Sequence, residues 1–433
     1  ADLASKLTQA GALVDVVLTE GAQHFITPLT FQSVTGRKAY TDADLWGGEG
    51  HVTHIGLGRA AQWIVVAPAS ANTLARLAHG LGDSLLSLAV LASHCPLVLA
   101  PAMDVGMFEH PATQANVELL VQRGAHLIGP AEGHLASGLT GRGRMVEPGE
   151  IVAALRYLAG RKGPLAGRRI VITAGGTQEP LDPVRVLTNR SSGKQGFALA
   201  QAALDAGAEV TLIATPTALP VPYGARHVAV RSAAELLAAV QAELLGADAL
   251  IMAAAVADFR PAQPAADKIK KHGAALTLTL EPTEDILALT GAQRAQTGWP
   301  RCLVGFAAES RDLLENAQAK LRAKSLDFIV ANDISATDAG FETDTNRVVL
   351  LFAVLIGVLL VFAVLHCGWL ALCVLCVLFR SGLWLPCVVL CCVVLRAAGL
   401  PCMGLLCCVA LCCATALLCC SLMCCAVLCC AGL

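Results

Sequence analysis

Ser191, Ser192, Gly193 and Lys194 stand after an apolar run, residues 170–174, that ends in the pair Gly175 and Gly176, and they open a stretch with helical periodicity through Phe197, Ala200 and Leu204. A helix beginning there presents backbone N–H groups and the positive end of its dipole, and Lys194 adds charge, which is chemistry for an anion. The spacing is not that of a Walker A loop, because Thr188 occupies the place of the first glycine and Gln195 follows the lysine. A capped structural helix is the alternative reading of the same residues. A second apolar run, 249–253, delivers Asp258 just past its end, where ligands of parallel sheets bind. Lys268, Lys270 and Lys271 follow ten residues later. Alone they are a solvated face; beside Asp258 and a helix terminus they could neutralise a triphosphate together with magnesium. Phe306, in GFAAES, offers a ring face to a base or a side chain to the core. Lys320 and Lys324, four apart on a helix expected over 316–324, share one face, as phosphate binding or a solvated stripe requires.

The first half carries a different set. His54 lies in HVTHIGLGRAAQW, a polar context in which an imidazole can move a proton near neutral pH, although a structural histidine would look the same. Gly56, Gly58 and Ala61 match GxGxxA, but no strand precedes them and no acidic residue follows at the required distance, so a dinucleotide site is excluded. APASANTLARLAHGLGDSL and APAMDVGMFEHPATQ each place a proline-bearing turn at a strand end, and SGLTGRGRM supplies a glycine-laced loop able to close over a substrate.

These residues need a scaffold, and the apolar pattern provides one. Runs at 14–18, 63–67, 97–100 and 126–128 are strand-like with helical periodicity between them, the pattern of a parallel, doubly wound sheet. Residues 160–167 are charged and contain glycine and proline, as a linker does. Further runs follow at 169–173, 209–213, 249–253, 303–306 and 328–331, with a helix expected over 232–245. The expectation is α/β throughout: two doubly wound parallel-sheet domains, 1–160 and 161–347, then an apolar tail, 348–433. Residues 1–10 read as a helix in mid-course, with a preceding strand and loop missing.

The chain has 433 residues and a formal charge of -2, which gives no field to gather nucleic acid. Only Cys95 and Cys302 of its 19 cysteines precede residue 350, so a disulfide framework is not expected and a cytoplasmic, reducing compartment fits. No secretory signal opens it. After Asp344 there is no acidic residue; 348–365 has the length of a membrane helix and 383–395 is a shorter candidate. Paired cysteines recurring from Cys407 to Cys430 in low-complexity text favour an aberrant reading frame over an anchor. Cys373 and Cys376, with His366 as the only nearby histidine, make no metal array.

ITAGGTQEPLDPVRVLTNRSSGKQGFALA, AAVADFRP, DKIKK, GFAAES and DFIVAND resemble the ligase half of the bacterial bifunctional phosphopantothenoylcysteine decarboxylase/phosphopantothenate:cysteine ligase, and the likeness covers nearly all of 1–347. The resemblance implies a Rossmann-like domain that activates 4'-phosphopantothenate with CTP and Mg2+ as an acyl-cytidylate, from which cysteine displaces CMP to give 4'-phosphopantothenoylcysteine. It places Asn189 on the acyl-cytidylate, Lys268 in the cysteine-dependent step, Asp258 on CTP, and Ala254, Asp285, Ile286, Phe306, Lys320 and Lys324 at other nucleotide-binding positions. For the first half it implies a flavodoxin-like flavoprotein whose FMN oxidises the thiol, allows carbon dioxide to leave and returns hydride, yielding 4'-phosphopantetheine. His54 matches the active-site histidine, and Ser70, Asn72 and Thr73 fall near the flavin.

The chain departs from the family in several places. Asp104 replaces an asparagine that grips the substrate carboxylate and would repel it unless protonated or bridged. Ser137 replaces a cysteine proton donor, a flavin-phosphate loop is missing, and the tail takes the place of the family's last strands and helix. Homo-oligomers are implied as well. The alternatives are a ligase with a decayed flavin domain and a membrane-anchored nucleotide-binding protein.

Overall fold

The computed structural model describes residues 1–46, 52–271, 273, 275–309, 312–333, 345–354 and 357–366. The chain divides into two compact α/β units, the first ending at Arg161 and the second beginning at Lys162.

In the first unit the strands Ile64–Ala69, Leu97–Pro101 and His126–Leu127 form a parallel sheet in that order. Val98, Leu99 and Ala100 are fully buried, so the middle strand is apolar on both faces, as a helix-covered parallel strand must be. Leu99 and Val66 pack with Leu74, Leu77, Val117 and Leu120 of the helices Ala71–His79 and Pro111–Gln122. Val98 and Ala100 pack with Ile151 and Ala154 of the helix Pro148–Gly160. The strand expected at 14–18 shrinks to Val16–Val17, paired with Ala39–Tyr40 outside the main sheet. Asp15 is engaged by the Arg37 guanidinium at 2.7 and 3.0 Å, and Thr19 caps the helix Glu20–Gln23, so polar neighbours end the run on both sides. The glycine-laced loop is an antiparallel hairpin, Ala131–His134 with Thr140–Arg144. Glycines and arginines alternate in its second strand and hide it from any apolar pattern.

The second unit is built on one eight-stranded sheet in the spatial order Arg226–Ala229, Glu209–Ala214, Arg169–Ala174, Ala249–Met252, Cys302–Glu309, Phe328–Asp333, Thr345–Val354, Gly357–His366. The first six are parallel. The chain winds outward from Arg169–Ala174 to one side, then returns to Ala249–Met252 on the other, so the winding direction reverses between these two strands. Outside the carboxyl ends of such a pair lies the natural ligand crevice. Ile172, Leu212, Ile213, Leu250, Ile251, Leu303, Val304 and Val330 are fully buried along the sheet. The expected helices are found as Ala233–Glu243, capped by Ser232, and Leu313–Ala323, with Lys324 at its C-cap.

The stretch 348–365, of membrane-helix length, folds as two antiparallel strands, Thr345–Val354 against Phe328–Asp333 and Gly357–His366 against Thr345–Val354. Val348, Val349, Leu350 and Leu351 are buried, and the Phe352 ring lies 5.5 Å from that of Phe328. Burial on both faces erases the alternation that would have marked a strand, and apolar length alone cannot separate it from a helix. The sheet therefore continues past Arg347, where the tail was expected to begin. No helix among the described residues is long and apolar enough to cross a membrane. The 383–395 segment, Cys373, Cys376 and the cysteine pairs lie outside the described residues.

Candidate functional site

In the second unit, the buried strand Arg169–Ala174 ends at the foot of the helix Lys194–Asp205. That helix starts from Gly193, whose φ of +76° suits glycine and where a Cβ would sit 2.9 Å from Thr217 Cγ2. Gly193 has no side chain to cap it, and the Lys194 N–H meets Ser192 Oγ at 3.4 Å, a long contact at the start of the helix, whose positive end faces outward. The terminus opens on a cleft of about 660 Å³ at the switch point, walled by 191–196, the strand end 252–256, the turn 283–287 and the strand end 306–308.

Asn189, Ala254, Asp258, Asp285, Ile286, Phe306, Lys320 and Lys324 all line this cleft. Asn189 donates from Nδ2 to the Val256 carbonyl at 2.9 Å, and the Ala254 N–H donates to Thr173 Oγ1 at 3.1 Å. Asp285 caps the helix Ile286–Thr297 through the Ala288 N–H at 3.0 Å and also meets Lys324 Nζ at 3.0 Å. Burial alone would raise the Asp285 pKa, but the Ala288 N–H and the Lys324 ammonium outweigh it and hold the carboxyl below its ordinary range. Lys320 Nζ lies 2.6 Å from Glu309 Oε1. Each lysine of the expected pair thus has its own acid at the cleft wall.

Lys268 is not among the lining residues and is exposed. Its neighbour Ile269 is tied elsewhere: the Ile269 N–H donates to Asp182 Oδ2 at 3.1 Å and its carbonyl accepts from Arg185 Nη1 at 3.0 Å. Asp182, 3% exposed, also accepts from the Val184 and Arg185 N–H groups, both at 2.8 Å. Desolvation works against its ionised form, yet these backbone donors and the Arg185 guanidinium pull its pKa down to about 2.

Sequence reasoning missed Glu309, Asp182 and Asn332, and treated Gln195 only as a break in a motif. Both side-chain amide atoms of Gln195 and the Oδ1 of Asn332 are buried without a hydrogen-bond partner among the described residues, and both residues line the cleft. The available signal was a polar residue at the end of a buried strand in DFIVAND. Among the described residues no group of three or more His, Cys, Asp and Glu could hold a metal.

In the first unit, Ser70 and Asp104 follow the paired ends of the strands Ile64–Ala69 and Leu97–Pro101. Ser70 caps the helix Ala71–His79, accepting from the Thr73 N–H at 3.2 Å with the two hydroxyls 3.0 Å apart, and Asn72 is exposed on the first turn. His54 lies in the helix Thr53–Ala60, and its Nδ1 is buried without a partner among the described residues. Asp104 caps Val105–Glu109 through the Gly106 N–H at 3.0 Å, and its other oxygen accepts from Ser137 Oγ at 2.5 Å. The Ser137 hydroxyl first, and the Gly106 N–H second, hold the Asp104 carboxyl below its ordinary range. The two departures from the family are therefore joined to each other, and Asp104 is ionised. Ser137 is carried by the hairpin, which docks by backbone: the Met103 N–H donates to the Gly143 carbonyl at 2.9 Å, and a Cβ on Gly143 would lie 2.2 Å from Met103 O.

Residues 1–160 match the family described as Flavoprotein, and residues 165–355 match the DNA/pantothenate metabolism flavoprotein C-terminal domain. The coenzyme A biosynthesis bifunctional protein CoaBC of Bacillus subtilis is 45% identical over 353 residues, covering 81% of this chain and 86% of that protein. The protein of the same name from Vibrio cholerae is 44% identical over 352 residues, covering 81% and 87%. A crystal structure of the C-terminal domain of a CoaBC protein is 38% identical, with a TM-score of 0.40, covering 48% of this chain and 92% of that one. By identity and coverage along both α/β units, this chain belongs to the coenzyme A biosynthesis bifunctional protein family of enzymes.

Proposed function

We propose that the second unit joins 4'-phosphopantothenate to cysteine at the expense of CTP, and that the first unit decarboxylates the resulting 4'-phosphopantothenoylcysteine to 4'-phosphopantetheine. The observation that carries the ligase half is the convergence, in one switch-point cleft, of the helix terminus at Gly193 and Lys194 with Asn189, Asp258, Phe306, Lys320 and Lys324. A carboxylate oxygen of the acid attacks the α-phosphorus of CTP and pyrophosphate leaves; the cysteine amine then attacks the acyl carbon, loses a proton and expels CMP. The helix N–H groups and Lys194 hold phosphate oxygens. Lys320 and Lys324 exchange their carboxylate partners for the departing pyrophosphate. Asn189 orients the acyl-phosphate through the amide that now bonds Val256, and Mg2+ enters on the triphosphate.

Lys268 serves the cysteine step from a loop anchored at Ile269. Exposed apolar residues on two antiparallel ribbons, Val184, Val186, Phe259 and Leu280, support association of two copies.

In the first unit, Ser70, Asn72, Thr73 and the His54 Nδ1, which has no partner among the described residues, are polar groups at strand and helix ends that fit an FMN and its substrate. FMN, when bound, supplies the electron sink for loss of carbon dioxide. His54 moves a proton at Nδ1 or Nε2, and the hairpin bearing Ser137 covers the site. Asn189→Ala and Lys268→Ala each abolish formation of 4'-phosphopantothenoylcysteine from CTP and cysteine in folded protein. Product formation at the unmodified rate by either variant would overturn the assignment.

A further inference from the structure

Asn332 stands near the carboxyl end of the strand Phe328–Asp333 and lines the cleft. It is 8% exposed, and its Oδ1 meets no hydrogen-bond donor among the described residues. An amide oxygen buried without a donor is costly, so one retained at the wall of a cleft marks a partner reserved for what enters.

The register fixes what that partner is near. Phe306 pairs with Val330 and Ala308 with Asn332, and side chains alternate faces along a strand. Phe306 and Asn332 therefore project from the same face of the sheet, one diagonal step apart, within reach of a single planar group. A ring laid on Phe306 turns an edge toward Oδ1. At the other end, the helix terminus at Gly193 lies against Gly175, just past the strand Arg169–Ala174, which is two strands from that of Phe306 and three from that of Asn332, about 10 and 14 Å at the usual strand spacing. That separation suits a nucleoside triphosphate with its phosphates at the helix and its base at Phe306.

Oδ1 can only accept. Among pyrimidines, cytosine offers an exocyclic amine where uracil offers a carbonyl oxygen. We propose that Asn332 is a specificity-determining residue whose Oδ1 accepts a hydrogen bond from the exocyclic amine of the base, so that the cleft takes an amino-pyrimidine nucleotide and rejects an oxo-pyrimidine one. The inference rests on the cleft being the nucleotide site of the proposed ligase.

The test is calorimetry of the full chain with Mg2+ and three ligands: CTP, UTP, and the triphosphate of pyrimidin-2-one riboside, which lacks the exocyclic group. Wild type binds CTP roughly 10- to 100-fold more tightly than either of the others. Asn332→Leu brings the three within about threefold of one another, the difference that one hydrogen bond supplied being gone. Asn332→Asp, which keeps an acceptor, retains the preference over the pyrimidinone. Equal binding of CTP and the pyrimidinone nucleotide by wild type, or an undiminished CTP preference in Asn332→Leu, overturns the role of Asn332. If circular dichroism shows Asn332→Leu unfolded, the wild-type comparison decides alone. Failure of all three nucleotides to bind wild type instead overturns the reading of the cleft, and this inference with it.

Discussion

The strand Thr345–Val354 begins in charged, ordinary text and runs into the apolar tail, and a single truncation asks whether that tail helps hold the enzyme together. Leu351 has no exposed surface and packs in the cluster that includes Leu303, Ile329, Ala331 and Leu321. Leu351→Ala removes three carbons from a site walled by two strands and a helix, where collapse around the gap is restricted. Substitutions of this kind cost about 2–5 kcal/mol, the transfer of the lost atoms plus the cavity left behind. At roughly 2–4 °C per kcal/mol for a unit of this size, the melting temperature falls by about 6–12 °C for a mid-range loss near 3 kcal/mol. Ala353, exposed on the same strand, provides the control: Ala353→Ser stays within about 0.5 kcal/mol. Thermal and urea unfolding of the full chain, followed by circular dichroism, measure both. If Leu351→Ala and Ala353→Ser unfold together with wild type, the apolar segment is not part of this sheet and the fold past Arg347 is misassigned.

Three other outcomes follow from the geometry. Gly193→Val forces a β-branched residue to positive φ with its Cβ against Thr217, so nucleotide binding by calorimetry drops by at least tenfold, a loss of about 1.4 kcal/mol, while far-ultraviolet circular dichroism is retained. Asp182 has a folded pKa near 2, below its unfolded value; its contribution to stability is therefore fully present above about pH 4 and is lost as pH falls toward 2. Asp182→Asn flattens that part of the stability-against-pH curve, and a curve unchanged between wild type and variant would show that the carboxylate holds nothing. Asp104→Asn removes a charge that opposes a substrate carboxylate while leaving an oxygen for Ser137, so consumption of 4'-phosphopantothenoylcysteine by FMN-loaded protein rises; a fall would mean that the ionised Asp104 assists the reaction.

What could be read from the residues beforehand was local. The helix at Lys194, the strand before it and the glycine between them announce themselves by periodicity and by residue type within some thirty positions. The four-residue spacing of Lys320 and Lys324 is equally direct. By contrast, Glu309 acquires meaning only when a strand end is placed against the helix Leu313–Ala323, and Asn332 only when its strand is set beside Phe306. Asp104 and Ser137 had each been recognised as departures, but their contact joins positions 33 residues apart through a hairpin whose Gly-Arg alternation carries no apolar signal. The 348–365 run failed for the opposite reason: its apolar signal is so continuous that helix and doubly buried strand become indistinguishable until a partner strand is found.

The acid partners of the two cleft lysines have a consequence for ligand choice. Lys320 with Glu309 and Lys324 with Asp285 leave the cleft wall nearly neutral before a ligand arrives, so inorganic anions gain little by entering. Each ion pair is partly exposed and worth little by itself. A ligand must therefore reach both ammonium groups at once, and also the helix terminus at Gly193, to outweigh the exchange. A triphosphate can do this because its charges are linked, and the second and third contacts come without a further loss of translational freedom. Once the phosphate chain is cleaved, the pyrophosphate and the nucleoside monophosphate no longer share that advantage, and the carboxylates of Glu309 and Asp285 are already in place to reclaim their lysines. For the ligase proposed above, lysines already paired with Glu309 and Asp285 favour binding of the intact nucleotide and release of its fragments, which is the asymmetry a carboxylate-activating ligase needs.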